Sequence, residues 1–211
     1  MRKPTLQQVL DVYRKKGYTL YLEKEMDLNI FGIRRNVGGR TGQSRQTDAW
    51  DDLIGCIWKE NGRVHMRLFE ATTDPGLQYL TQKFGNGRAR GRGGRTAILK
   101  PGHYRGMWRR GRHKSYSAFR QKRKAVFYQD RDLDGYLDMG DHVPLEESII
   151  WCNLHSTRPR LLSRRVWNWS AACQVLRRWR DFAWMRRMGD RQIAAGHGNS
   201  FSYSLFVATD F

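Results

Sequence analysis

Two residues in this chain have the chemistry of a nucleophile and its base. Cys173 lies in the run WSAACQ (169–174), and His155 lies eighteen residues earlier in NLHST (153–157). The thiolate is the nucleophilic form of cysteine, an adjacent imidazole can take its proton, and a third group must orient that imidazole. The apolar positions Ala172, Val175, Leu176, Trp179, Phe182 and Ala183 predict a helix, with Arg177, Arg178, Arg180, Arg186 and Arg187 on its other face. Cys173 is then expected at a helix N-terminus, where the dipole and free N–H groups favour a thiolate. The N–H groups of Ala172 and Cys173 become candidate donors for an oxyanion hole. The competing reading is a buried, inert thiol, the commonest fate of a free cysteine.

The spacing of these residues resembles the active-site signature of the L,D-transpeptidase catalytic-domain family. That signature is a His, a stretch of about this length, then Ser or Thr, His, Gly and Cys. The resemblance implies that Cys173 attacks a peptide carbonyl in peptidoglycan stems, that His155 is its base, and that the backbone carbonyl of Ser156 orients the imidazole. The signature Ser falls on Ser170. Its His and Gly are Ala171 and Ala172 here, and the Arg or Asn usually found two residues after the Cys is Val175. The family's fold implies a β-sandwich-like domain with a helix after the Cys. The absence of the second His favours hydrolysis over transpeptidation.

A second constellation is acidic. Asp130, Asp132, Asp134, Asp138 and Asp141 occupy positions 1, 3, 5, 9 and 12 of an EF-hand-like calcium loop, with Gly135 at position 6. Position 12 is Asp rather than Glu, and the preceding residues read as a strand. The alternative is a hairpin-like loop near the active site, its acids pairing with arginines and no cofactor bound. His65, His103, His113, His142 and His197 are scattered without zinc spacing. His103 and His113 either line a substrate cleft or are exposed and structural.

The elements that must position these groups are mostly strands, predicting an α+β domain over 1–211 without a boundary. Leu6, Val9, Leu10 and Tyr13 predict a short helix over 5–16, stopped by Gly17, within an N-terminal extension of 1–27. Strands are expected at 28–34, 53–58, 64–72, 96–99, 125–128, 148–154 and 200–209. A hairpin turn falls at Asn61-Gly62, and a helical turn at 75–80. The segment 83–124 reads as a basic, Gly/Arg-rich insertion or loop region. Within it, 85–94 is expected to be a mobile loop, and 102–124 interleaves Tyr104, Trp108, Tyr116 and Phe119 with bases.

Composition limits what the chain can do. The 39 Lys and Arg exceed the 20 Asp and Glu by 19, and the window 75–129 holds fifteen bases and no acid. Such a surface binds polyanions, whether nucleic acid or anionic envelope polymers. With 39% apolar residues and 8 Trp, the chain is no disordered basic tail. No apolar run is long enough to span a bilayer. Three cysteines are too few for a disulfide scaffold. No signal peptide is visible, so synthesis in the cytoplasm is expected, with action at the periplasm or cell wall after release or delivery, as for a phage lysis enzyme or toxin. The combined expectation is a cysteine peptidase or acyltransferase acting on peptidoglycan, with residues 75–129 on the anionic envelope. The rival is a non-enzymatic nucleic-acid-binding protein with Cys173 inert. A basic structural protein of a virion is a third reading.

Overall fold

The computed structural model describes residues 3–35, 43–45, 48–82, 90–91, 95–113 and 115–211. Among the described residues, three α-helices and fourteen strands follow in chain order. The helices are α1 (Leu6–Lys15), α2 (Leu77–Thr81) and α3 (Trp179–Gln192). The first seven strands are β1 (Asn29–Arg34), β2 (Gln43–Arg45), β3 (Asp52–Glu60), β4 (Arg63–Thr72), β5 (Arg90–Gly91), β6 (Arg95–Leu99) and β7 (Gly102–His113). The rest are β8 (Tyr116–Gln121), β9 (Ala125–Asp130), β10 (Tyr136–Asp138), β11 (Leu145–Ser148), β12 (Leu154–Ser156), β13 (Gln174–Leu176) and β14 (Phe201–Val207).

Eight strands form one large sheet that closes on itself in the order β1-β14-β7-β8-β12-β13-β4-β3, so this sheet is a barrel rather than an open leaf of a sandwich. A smaller sheet, β11-β9-β6-β5, and a β10-β2 pair complete a mostly β, α+β architecture. Parallel pairing occurs at β1/β14 and β12/β13. Strand β1 (NIFGIR) is buried along its length. Ile30 faces the main core with Ile54, Cys56, Leu154 and Leu176, while Phe31 and Ile33 face a second core under α1. Burial on both faces explains its nearly unbroken apolar sequence. Helix α1 is held by a capping box between Thr5 and Gln8, and it buries Val9, Val12 and Tyr13. Helix α3 adds Phe182, Met185 and Met188 to the main core.

The ladder is uneven. β3 and β4 pair from Asp52↔Ala71 to Glu60↔Arg63, whereas β12 meets β8 at the single register position Leu154↔Phe119. On its other side β13 meets β4 only at Val175↔Thr72 and Leu176↔Ala71. The barrel is closed by its two shortest strands.

Three expectations are corrected. The segment 174–176 is strand and not the first turn of a helix, which begins at Trp179. Its side chains alternate, Leu176 into the main core and Val175 away from it, with period two rather than 3.6. Much of the presumed insertion 83–124 is the β7/β8 hairpin, two long barrel strands whose small and apolar residues Met107, Trp108, Ala118 and Phe119 are fully buried. The strand expected over 148–154 is broken: Ile150 and Cys152 donate their backbone N–H to Gln121 Oε1, at 3.1 and 2.9 Å, in place of ladder bonds.

Among the described residues, one ion pair lies inside this frame. Arg34 Nε is 2.7 Å from Asp74 Oδ1, with both side chains almost wholly buried. Replacing Arg34 with Met leaves Asp74 buried without its cation, which should cost about 3–5 kcal/mol of stability. Urea denaturation should show this loss, and adding Asp74→Leu to Arg34→Met should recover much of it. Equal stability of the single variant and the unaltered protein would show that the pair contributes nothing.

Candidate active site

The seam of the barrel brings His155 and Cys173 to one face. β12 and β13 run parallel in the register Leu154↔Gln174, His155↔Val175 and Ser156↔Leu176, and Gln174 N donates to Asn153 O at 2.9 Å. Opposite residues of a parallel pair share a face, and side chains alternate along each strand. Leu154 and Leu176 therefore enter the main core, while His155, Val175 and Cys173 face outward. There Cys173 and Val175 pack with Trp50, Val166 and the half-buried Trp169.

The imidazole of His155 is fixed by its own strand. Its Nδ1 lies 3.1 Å from Ser156 O. A carbonyl oxygen only accepts, so Nδ1 is the protonated nitrogen in this contact and Nε2 of the neutral ring keeps its lone pair. His113, at the end of β7, stacks on His155 with centroids 5.5 Å apart and planes 5° from parallel. Tyr116, at the start of β8, meets the same ring edge-on at 5.5 Å. Asn153 orders this group: its Oδ1 accepts from Gln121 N at 2.8 Å, so its Nδ2 donates to His113 Nδ1 at 2.8 Å. Neutral His113 therefore carries its proton on Nε2.

The turn before Cys173 is tied at several points. Ser170 Oγ donates to Cys173 O at 2.7 Å, and Cys152 Sγ donates to Ala172 O at 3.0 Å. Gly76 N donates to Ser170 O at 2.8 Å, and a side chain at Gly76 would collide with the backbone of Trp167. Asp48 Oδ1 accepts from Trp167 N and Leu77 N, at 2.6 and 3.2 Å. Cys173 Sγ itself lies 3.5 Å from Trp151 O. Trp151 and Trp167 both adopt left-handed backbone, with φ of 66° and 43°. Bulky residues seldom accept that conformation, and such strain gathers around functional sites.

Cys173 thus precedes a strand, and the helix-dipole argument for its thiolate does not apply. Ser156 supplies a carbonyl and Ser170 closes the turn. His113 is brought to His155, whereas His103 bonds to Ser204 Oγ and stacks on Tyr18. The grouping of His113 and Tyr116 with His155 escaped the sequence reading. No alternation announces this hairpin, because Met107 and Trp108, and Ala118 and Phe119, are buried as adjacent pairs. Of the acidic residues, Asp130, Asp132 and Asp138 come together. Asp134 Oδ1 accepts from Tyr136 N at 2.7 Å, and Asp141 is exposed outside the group. Lys83, Arg88, Arg92 and Lys114 of the basic window, and most of the 85–94 loop, lie outside the described residues.

Comparison with protein-family models, with curated proteins and with solved structures finds no match to this chain.

The three thiols are distinguished by their surroundings. Burial pushes the Cys56 and Cys152 thiols up, and both are 0% exposed, against 7% for Cys173. Brief treatment of the folded protein with iodoacetamide should label Cys173 first, with Cys56 and Cys152 reacting only after denaturation. Peptide mapping checks the order; labelling of Cys152 before Cys173 would reverse the assignment of the accessible thiol.

Proposed function

We propose that this protein is a cysteine-dependent peptidase or acyltransferase resembling the L,D-transpeptidase catalytic domain and acting on peptidoglycan stem peptides. One observation carries the reading: His155, its Nδ1 held by Ser156 O, lies on the same outward face of the β12/β13 seam as Cys173. That is the nucleophile, base and orienting group that acyl transfer needs. The helix that the resemblance implies after the Cys is present as α3, reached through the short strand β13.

In the proposed reaction, His155 Nε2 takes the Cys173 proton and the thiolate attacks a stem-peptide carbonyl. The N–H groups of Ala172 and Cys173 are the proposed donors to the oxyanion. Collapse expels the amine, which receives the proton from the His155 imidazolium, and leaves a thioester on Cys173. Water then attacks with His155 again as base, releasing the acid and restoring the thiol. Ala171 and Ala172 replace the signature His and Gly, so water rather than a bound amine is the proposed acceptor. His113 is the proposed neutral partner of His155: protonating its Nδ1 would break the bond from Asn153, and two stacked cations would repel. The basic surface would hold the enzyme against an anionic cell wall or envelope, reached by release or delivery.

Cys173→Ala should leave the fold intact and reduce release of muropeptides from purified sacculi by at least about 10³-fold. His155→Ala should lose nearly as much, and the double variant little more, because the two residues act as a unit. Mass spectrometry of the digests reads both. Wild-type turnover by Cys173→Ala refutes the proposal, and tight sequence-selective binding of DNA or RNA by a protein without muropeptide release would move the function to nucleic-acid recognition.

A further inference from the structure

We propose that the loop running from the end of β9 into β10 binds a calcium ion through Asp130, Asp132 and Asp138. This inference is independent of the reading of Cys173. One carboxylate oxygen from each of the three residues lies within 4.8 Å of the other two. Calcium binds oxygen at about 2.3–2.6 Å, so two ligands of one ion stand at most about 5 Å apart, and the trio fits a shared cation.

The second observation is Asp130 itself. Its side chain ends β9 with 1% exposure, and among the described residues its Oδ1 meets no hydrogen-bond donor. Its Oδ2 receives only the long bond from Asp138 N, at 3.4 Å. A carboxylate buried with an idle oxygen, facing two more carboxylates, is costly unless a cation completes it.

The sequence agrees at the backbone level. Gly135 holds φ at 86°, at the position where an EF-type loop takes glycine for its sharp turn. The flanking elements are strands, so the loop is borrowed without the helix pair.

The ion would act on the fold. Gly135 N donates to Leu80 O at 3.1 Å, and Leu137 and Met139 pack with Leu80 and Ile98. Through α2, the same elements lead to the Gly76–Ser170 bond beneath the Cys173 turn.

The test uses full-length protein stripped with EGTA. Calcium chloride added to a hundredfold excess over its Kd should raise the melting midpoint by about 5–10 °C. Terbium should give tyrosine-sensitised luminescence that calcium displaces. Asp132 is exposed, so Asp132→Asn should fold normally yet lose most of both signals. Asp130→Asn should abolish the calcium response while melting no lower than the stripped wild type, since it removes a buried charge. A wild-type shift below about 1 °C at 5 mM calcium, or a full response retained by either variant, overturns the proposal.

Discussion

The interior of this protein depends on one buried guanidinium. Arg34, at the end of β1, pairs with Asp74 and donates to Thr73 Oγ1, Thr73 O and Leu99 O. It thereby joins the barrel to the smaller sheet, since Leu99 ends β6 and Thr73 follows β4. Taking these charges out of water is costly, and the bonds that Arg34 donates offset part of that cost. Asp52 extends the network by accepting from Arg35 N, Thr73 N and Thr73 Oγ1. Burial, reinforced by Asp74, nevertheless pushes its carboxyl up to about 7. A carboxyl raised in this way contributes stability that is fully present below about 3.8 and is lost as pH rises to about 7, so Asp52 weakens the fold across the acid-to-neutral range. The same network reaches the site: Thr73 O also accepts from Gln174 Nε2, and Gln174 Oε1 accepts from Tyr203. Gln174 follows Cys173, so the buried polar cluster fixes the register of the strand that carries the thiol.

That strand needs such support because the seam has little ladder of its own. β12 and β13 contribute three residues each, and their outer partners β8 and β4 meet them briefly. Side chains replace the missing ladder. Gln121 accepts from Ile150 N and Cys152 N and donates to Arg123 O and Ser148 O, while Trp108 Nε1 donates to Cys152 O. A seam built this way is specified by individual side chains, unlike the long β3/β4 ladder. It also leaves the outward face of the seam open to loops from distant parts of the chain, which is how Trp50, Val166 and Trp169 come to pack with Cys173 and Val175.

Local chemistry was legible where it acted alone. Thr5, Gln8 and Gly17 mark both ends of α1, and Asn61-Gly62, with φ of 53° and 73°, makes the hairpin turn that its sequence implies. The contact of His155 with Ser156 O, which the family resemblance implies, lies between neighbours in sequence and so needs no tertiary partner. What escaped depended on tertiary partners. Val175 and Leu176 fit a helical stripe equally well until the two separate cores on either side of β13 are known. The β7/β8 hairpin was hidden by its many arginines, which stay at the barrel surface: Arg110 pairs with Asp190 on α3, and Arg120 lies over the Trp151 ring. Charge identified the exposed side of those strands and obscured the buried one. Gln121 carried no signal at all, since a clamp that replaces a ladder is invisible without the ladder it replaces.

The correction at Cys173 changes how its thiolate would have to form. Without a helix N-terminus, no aligned backbone dipole lowers the cost of charging a thiol that is 7% exposed and packed beside Trp50, Val166 and Trp169. Burial alone disfavours a lone thiolate. The proposed charge separation therefore rests on His155, as a proton transferred within a pair rather than lost to solvent. Transfer within a pair creates both charges together at short range, where a low dielectric strengthens their attraction. This makes the orientation of His155 the controlling variable, and it is orientation that the surroundings determine. Ser156 O holds Nδ1, His113 and Tyr116 bracket the ring, and Asn153 fixes His113 through a bond to the neutral imidazole. An activated thiol in this setting is a property of the seam as a whole, not of the residues flanking Cys173 in sequence.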